Sequence, residues 1–173
     1  MVKIPDYINT IHVESAEDFV KTIKEELSYS NYDMFISAAA ISDYKPTECV
    51  EGKISSDDIE ELNVNMQLTP KILRVARRTD YKLFIIAFKA EMNVSRSELI
   101  ERAYNRLLKS EADIIVANDV GREDIGFNSK DNEVYIINKE KHIKHIEKHT
   151  KRYVASKIID VVLDNFKARE AKK

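Results

Sequence analysis

Residues 116–138 read V-A-N-D-V-G-R-E-D-I-G-F-N-S-K-D-N-E-V-Y-I-I-N, and this stretch decides the fold. An apolar strand predicted over 114–117 runs directly into Asn118 and Asp119. A turn-rich loop follows, and a second strand is predicted over 134–137. Amide and carboxylate groups at the carboxyl end of a buried strand are a common way for an α/β protein to build a site. The stretch therefore indicates an α/β fold with a candidate site at a strand end.

The rest of the chain alternates short apolar runs with amphipathic helices. Further strands are predicted over 8–13, 34–40 (buried), 61–68 (half-buried) and 83–88, and the strand over 134–137 is predicted to form a hairpin with 142–146. Helices are predicted over 16–27, from Pro70 with Thr69 as N-cap, over 96–110 after Ser95, and over 150–166, with an exposed loop over 41–58 and a polar tail over 167–173. This order predicts an α/β domain with a mostly parallel sheet.

Length and composition exclude several classes of protein. A chain of 173 residues predicts one domain with a real core. A net charge of -2 argues against nucleic-acid binding, and no apolar run is long enough for a membrane span. The single cysteine, Cys49, rules out an internal disulfide and is interpreted as incidental. We therefore expect a cytoplasmic protein.

Glycine is scarce: the chain has only Gly52, Gly121 and Gly126. Loops that hold phosphates use several glycines so that the backbone can approach the anion. Neither G-x-G-x-x-G nor G-x-x-x-x-G-K-[ST] occurs in this sequence. If the protein binds a nucleotide, either lysines contact the phosphates or the glycine loop lies elsewhere.

Two candidate sites lie between residues 38 and 53. Ala38, Ala39 and Ala40 end a predicted strand and leave room for a flat group, while Asp43 can bind a ribose hydroxyl or a metal. The alternative is ordinary small-residue packing followed by an Asp-initiated turn. Lys53, on a loop, can close over a polyphosphate. The alternative is a solvated lysine, one of 28 basic residues.

Two more candidates follow strands. Phe88 can form the wall of a pocket for a base, or it can be an ordinary core residue. Asn118 and Asp119 can contact a ligand, or they can serve as caps and turn residues. The histidines at 142, 145 and 149 share no clear face and have no partners at zinc spacing, so a surface cluster is the preferred interpretation.

Five motifs occur together in a fixed order and resemble phosphopantothenoylcysteine synthetase, a family of coenzyme A biosynthesis. They are A-A-A-I-S-D-Y-K-P (38–46), G-K-I (52–54), L-T-P-K-I-L (68–73), A-F-K-A-E (87–91) and A-N-D-V…G-F-N…D-N (117–132). Each motif is short, but the ordered set is specific. The resemblance extends from about residue 8 to the last helix and implies a Rossmann-like fold.

The resemblance implies a phosphopantothenate–cysteine ligase. A nucleoside triphosphate activates the carboxylate of 4'-phosphopantothenate as an acyl-nucleotide, with Mg²⁺ neutralising phosphate charge, and the amine of cysteine then attacks. It implies catalytic roles for Lys53 and Asn118 and a tentative metal role for Asp43. The implied nucleotide-binding residues are Ala38, Ala39, Ala40, Asp43, Lys53, Phe88, Asn118 and Asp119.

The choice of nucleotide depends on departures from the bacterial pattern, in which the family uses CTP. Leu68 and Thr69 stand where many bacterial relatives have Lys-Asn, and Ala87 replaces a glycine. Lys71 and the pair Phe88-Lys89 resemble the eukaryotic enzymes, which use ATP. We predict CTP, with ATP as the alternative.

The family begins with a strand, a glycine-rich segment and a helix that have no counterpart here, which accounts for the shortage of glycine. We therefore expect residues 1–173 to be a partial synthetase domain that lacks the N-terminal strands and has little or no activity alone. Residues 41–68 resemble the flap and dimerisation region of a homodimer. The parent protein can be fused to, or associated with, phosphopantothenoylcysteine decarboxylase.

Two alternatives to the ligase function remain at this stage. One is a non-catalytic module for dimerisation or weak nucleotide binding. The other is a Rossmann-like oxidoreductase, which the missing dinucleotide motif disfavours.

Overall fold

The computed structural model describes residues 4–52, 54–55, 61–122, 124–126 and 129–172. The helices are α1 (Ala16–Tyr29), α2 (Ile72–Thr79), α3 (Arg96–Ser110) and α4 (Lys151–Glu170). The strands are β1 (Met34–Ser37), β2 (Tyr44–Pro46), β3 (Met66–Leu68), β4 (Phe84–Glu91), β5 (Ile114–Asp119), β6 (Asp131–Asn138) and β7 (Ile143–Thr150).

The central sheet has five strands in the order β1-β4-β5-β6-β7. Strands β1, β4 and β5 are parallel, and β6 is antiparallel to both of its neighbours, β5 and β7. Strands β2 and β3 form a separate antiparallel pair. This architecture confirms the predicted Rossmann-like fold, with its mostly parallel sheet, flanking helices and antiparallel hairpin.

The two faces of the sheet are covered by different helices. Successive side chains of a strand point to opposite faces. Ile115 and Ala117 of β5 therefore belong to the core beneath α1, α2 and α3. Ile114 and Val116 belong to the second core, which α4 covers. The strand β5, at the centre of the sheet, is buried on both faces until its last two residues.

Local signals placed most helices correctly. Ser15 and Asp18 form the reciprocal capping box expected for α1. Ser95 caps α3, which begins at Arg96 and ends at Ser110 as predicted. Thr150 caps α4, but this helix continues to Glu170, so the first part of the predicted polar tail is helical.

The predicted strand over 8–13 is wrong. The structure describes all of these residues, and none of them lies in a strand. Ile8 and Ile11 remain about half exposed, at 48% and 54%. An alternating pattern makes a strand only where a neighbouring chain completes the hydrogen-bond ladder, and β1 is an edge strand.

The region between β1 and α2 also differs from expectation. The predicted loop over 41–58 contains β2, and the strand predicted over 61–68 shortens to β3, whose three residues are exposed. Thr69 does not cap a helix, because its hydroxyl donates to the carbonyl of Ser42 at 2.5 Å. The helix α2 begins at Ile72, and its N-cap residue, Lys71, makes no side-chain cap.

The strand β1 is less buried than predicted. It ends at Ser37 rather than at residue 40, and Ile36 is 44% exposed. Within the described ranges, no helix combines the length and the apolar composition needed to cross a bilayer.

Candidate functional site

The carboxyl ends of the parallel strands β1, β4 and β5 meet at one edge of the sheet, which we call the carboxyl edge. Asn118 and Asp119 are the last two residues of β5. Because side chains alternate along a strand, Asn118 projects to the face covered by α4, and Asp119 projects to the face covered by α3. The two neighbouring polar residues therefore have different surroundings.

A cleft of about 250 Å³ opens at the carboxyl edge on the side of α4. It is lined by Ala38, Ala39, Ala40, Phe88, Ala90, Asn118, Val120, Ile125, Gly126, Asn132 and Lys151. The side-chain amide of Asn118 donates to Oδ1 of Asn132 at 3.3 Å. The same oxygen accepts the backbone N–H of Glu133 at 3.0 Å. The amide of Asn118 is thus held in place by the first residues of β6.

A smaller pocket, of about 100 Å³, adjoins this cleft and shares Ala39 and Phe88 with it. Asp43 lies here, and its carboxylate contacts Nζ of Lys71 at 2.5 Å. The hydrogen bond from Lys71 lowers the pKa of Asp43 below its ordinary value. The ring of Phe88, 38% exposed, lies between the two spaces. An aromatic face in this position can stack on a planar group.

The carboxylate of Asp119 is engaged by backbone rather than open to either space. It accepts the N–H groups of Asn93 and Gly121, each at 2.9 Å, and that of Val94 at 3.3 Å. Gly121 lies so close to Asn93 that a Cβ atom on the glycine would be 2.3 Å from the side-chain oxygen of Asn93. Asp119 therefore joins the loop after β4 to the loop after β5.

Ion pairs hold the loop after β5 against the hairpin of β6 and β7. Arg122 contacts Glu133 at 2.8 Å, and Asp124 contacts Lys148 at 3.0 Å. Hydrogen bonds from Arg122 and Lys148 lower the pKa of Asp124 to about 2. Burial alone would raise the pKa of Glu133, but hydrogen bonds from His145 and Arg122 lower it below its ordinary value. This loop supplies Ile125 and Gly126 to the cleft.

A larger cavity, of about 550 Å³, lies at the opposite, amino edge of the sheet. Asp113 precedes β5 there and is 8% exposed. Its oxygens contact Arg77 and Lys139, both at 2.6 Å, and accept the N–H of Ile85 at 2.9 Å. Arg77 also donates to several backbone carbonyl groups. These side chains are engaged with one another and with the backbone, so size alone does not make this cavity the candidate site.

The structure brings together five of the sequence-predicted site residues: Ala38, Ala39, Ala40, Phe88 and Asn118 line one cleft. Asp43 lines the adjoining pocket, whereas Asp119 lines neither. Lys53 lies outside the described residues, so its role stays a prediction. Sequence reasoning did not assign Asn132, Lys71 or Lys151 to the site. Asn132 could have been assigned from the sequence, because it belongs to the D-N pair at 131–132 that ends one of the five motifs.

Comparisons with known proteins show which family the chain belongs to. The model of the family described as DNA/pantothenate metabolism flavoprotein C-terminal domain matches residues 1–166. The coenzyme A biosynthesis bifunctional protein CoaBC of Methanocaldococcus jannaschii is 37% identical over 160 residues, which cover 91% of this chain and 37% of that protein. The CoaBC of Thermococcus kodakarensis is 31% identical over 160 residues, which cover 92% of this chain and 38% of that protein.

Two solved structures share the fold. A crystal structure of the C-terminal domain of CoaBC has a TM-score of 0.71 and 24% identity, and the match covers 98% of this chain and 70% of that one. A Cab2 mutant in complex with phosphopantothenate-cysteine has a TM-score of 0.65 and 18% identity, covering 91% and 53%. The chain spans less than two fifths of the length of the curated relatives described above. By the family model and by its similarity to CoaBC, the chain belongs to the DNA/pantothenate metabolism flavoprotein C-terminal domain family.

Proposed function

We propose that this chain is the nucleotide- and acyl-binding part of a phosphopantothenate–cysteine ligase. In the parent protein, a nucleoside triphosphate, CTP in our proposal, activates 4'-phosphopantothenate as an acyl-nucleotide. The amine of cysteine then displaces the nucleotide to give 4'-phosphopantothenoylcysteine. The relatives named CoaBC, and the Cab2 complex with phosphopantothenate-cysteine, support this choice of reaction. Fusion to, or association with, a decarboxylase belongs to the same proposal.

The observation that carries the proposal is the convergence of three separate motifs on one cleft. Ala38 to Ala40 follow β1, Phe88 lies in β4, and Asn118 is the second-last residue of β5, yet all of them line the same space of about 250 Å³. The small alanine side chains leave room next to the backbone, and the ring of Phe88 offers an apolar wall. The carboxyl edge of a parallel sheet is where open α/β folds bind their ligands.

The roles of the residues follow from their chemistry. In our proposal, the Phe88 ring stacks on the base and Asp43 accepts a hydrogen bond from a ribose hydroxyl. Asn118, fixed by Asn132, orients the acyl group by hydrogen bonding, which is effective because a held amide needs no reorganisation during reaction. Lys53 remains our proposed partner of the phosphates and the reacting carboxylate.

The described residues do not form a resident site for Mg²⁺. No three His, Cys, Asp or Glu side chains in the described part of the chain are grouped to hold one metal ion. The carboxylate of Asp43 is paired with Lys71, so metal binding there would require Lys71 to move away. In our proposal, Mg²⁺ enters with the triphosphate, as is common for this ion.

The region over 41–68 is our proposed flap and dimerisation region. Its described apolar side chains are unusually exposed; they are Tyr44, Val50, Ile54, Leu62, Val64, Met66 and Leu68, with exposures from 43% to 68%. Apolar patches of this kind commonly mark surfaces that bind another protein. A second copy of the chain is the partner that we propose for this surface.

Calorimetric titration of the 173-residue chain with CTP, ATP and NAD tests the proposal. We expect CTP to bind more tightly than ATP and NAD not to bind. We also expect this chain alone to form little or no amide from 4'-phosphopantothenate and cysteine. Binding of NAD without binding of CTP or ATP would overturn the ligase assignment, and robust turnover would overturn the claim about isolated activity.

The variant Phe88→Ala tests the stacking role. Base–aromatic stacking contributes about 1–3 kcal/mol, so we expect the Kd for CTP to rise roughly 5- to 150-fold. The matched control is Tyr29→Ala, which removes an aromatic ring that is 88% exposed on α1. An unchanged Kd for CTP in Phe88→Ala, with wild-type binding in the control, would remove Phe88 from the nucleotide site.

A further inference from the structure

Ile125, in the loop after β5, lines two spaces at the carboxyl edge. One is the cleft of about 250 Å³, and the other is a smaller pocket of about 110 Å³, which Leu99 of α3 and Tyr135 of β6 also line. Ile125 is 2% exposed, whereas Arg122 and Asp124, which precede it in the loop, are exposed. The position in which the loop holds Ile125 therefore affects the width of the cleft.

The guanidinium group of Arg122 joins this loop to β6. Its Nη1 contacts Glu133 at 2.8 Å, and its Nη2 contacts Asp124 of the same loop at 3.0 Å. Asp124 in turn contacts Lys148 of β7 at 3.0 Å. The part of the loop that precedes Ile125 is thus tied to both strands of the hairpin.

Glu133 is a fixed point for Arg122, because the hairpin holds it through its side chain and its backbone. Its carboxylate contacts Nε2 of His145 at 2.7 Å, and the His145 ring stacks on Tyr135 with the ring centroids 4.4 Å apart. Its backbone N–H donates to Oδ1 of Asn132, the oxygen that also accepts the amide of Asn118. The start of β6 therefore holds both the amide in the cleft and the loop that forms an apolar part of the wall.

The pairing of β6 with β7 is irregular at this place. Between its paired residues 132 and 134, β6 has one residue, Glu133, whereas β7 has two between 146 and 149. Lys148 is one of these two, so each strand contributes a loop contact from the irregular part of the ladder. A β-bulge changes the direction of side chains and is common beside functional sites.

We propose that Arg122 is a positioning residue of the carboxyl-edge cleft, which increases the affinity for the ligand by holding Ile125 in the wall. Arg122 is not among the described residues that line the cleft, so it acts through the loop rather than by contact with the ligand. A guanidinium can contact two carboxylates through separate nitrogen atoms, whereas the ammonium of lysine is a compact point charge. This inference rests on the proposed function, which supplies the ligand.

Calorimetric titration of the 173-residue chain with CTP, and separately with 4'-phosphopantothenate, tests the proposal. In Arg122→Gln we expect the Kd for at least one of these ligands to rise about fivefold or more, because the loop loses its link to β6. Arg122→Lys should recover only part of the affinity, since it keeps the charge but not both contacts. Full recovery would mean that the charge alone matters, which would contradict a positioning role.

The matched control is Arg102→Gln, because the two arginine side chains are equally exposed, at 48%. Arg102 also pairs with two carboxylates, those of Glu91 and Glu98, and none of the three lines the cleft. We expect Arg102→Gln to bind both ligands as the wild type does, with a loss of stability in urea similar to that of Arg122→Gln. An equal rise in Kd in the two variants would show a general effect of stability and would overturn the proposal.

The variant Ile125→Val tests whether Arg122 acts through Ile125. If it does, the rise in Kd for the double variant Arg122→Gln/Ile125→Val should be smaller than the product of the two single changes. Single changes that multiply would show that the residues act independently, and the proposal would be wrong. If the wild type binds neither ligand, the proposed function fails; if only Arg122→Gln binds as the wild type does, the role of Arg122 fails and the proposed function stands.

Discussion

The polar groups at the two ends of β5 differ in their surroundings: one lies among internal partners and the other lines a cleft. Before the strand, the carboxylate of Asp113 is nearly buried and is matched by Arg77 and Lys139. After the strand, Asn118 lies in a cleft with the single cation Lys151 and no described carboxylate among the lining residues. The charged groups before β5 are paired with one another, whereas the described lining of the cleft after β5 combines amide side chains with one lysine.

This difference separates structural roles from binding roles more clearly than cavity size does. The larger cavity, about 550 Å³, is at the amino edge, and the candidate site, about 250 Å³, is at the carboxyl edge. Polar groups that are saturated by internal partners stabilise the fold and have little capacity left for a ligand. Polar groups that line an open cleft keep that capacity.

The largest effect on stability should come from the amino edge. We expect Asp113→Ala to lower the free energy of unfolding by about 3–5 kcal/mol, because it leaves the Arg77 guanidinium, 13% exposed, without its carboxylate. Urea denaturation measures the loss. Asp160→Ala, at an exposed ion pair on α4, is the control and should cost less than about 1 kcal/mol. Equal losses in the two variants would contradict the structural role given to Asp113.

A smaller effect on stability is expected at the carboxyl edge. Asp119→Ala should cost about 2 kcal/mol, because a carboxylate that accepts three backbone N–H groups is lost. Because Asp119 joins the two loops, we also expect weaker binding of CTP. Asp119→Asn keeps one acceptor oxygen and should give an intermediate loss in urea denaturation. Wild-type stability in Asp119→Ala would show that the two loops hold their positions without this residue.

The smallest predicted effect is a loss of stability at acidic pH. Burial alone would raise the pKa of Asp113, but the hydrogen bonds from Lys139 and from the backbone of Ile85 lower it below its ordinary value. The unfolded carboxyl, with a pKa of about 3.9, then takes up its proton first as the pH falls. The stabilisation by Asp113 is therefore complete above about pH 4 and is lost as the pH falls through the folded-state pKa.

Urea denaturation at neutral pH and at a series of values below pH 4 checks the direction of this pH dependence. The difference in unfolding free energy between the wild type and Asp113→Ala should shrink as the solution becomes more acidic. A difference that grows in acid would mean that the folded-state pKa is raised rather than lowered.

Local sequence signals predicted much of the fold. The helix α3 was predicted to the residue because its cap, Ser95, and its apolar spacing act within the helix itself. The strand over 8–13 failed because a strand depends on a partner elsewhere in the chain. The length of α4 was underestimated because a polar face at the end of a helix resembles a polar tail.

The candidate site was predicted only where motifs end strands of the parallel sheet. Phe88 of β4 and Asn118 of β5 line one cleft because the carboxyl-terminal parts of neighbouring parallel strands lie side by side. Lys151 was missed because its position reads simply as the first turn of a helix, and only the β6–β7 hairpin brings it next to β5. Asn118 and Asp119 were assigned together, although the two-residue period of a strand already separates their faces.

The contact between Gly121 and Asn93, joined by Asp119, has a consequence for how this cleft can evolve. The loops after β4 and β5 share one carboxylate, so we expect an insertion in one loop to displace the backbone of the other. Substrate preference should then change through paired substitutions in both loops rather than through single ones. A designer who wants a new specificity here should randomise the two loops as one unit.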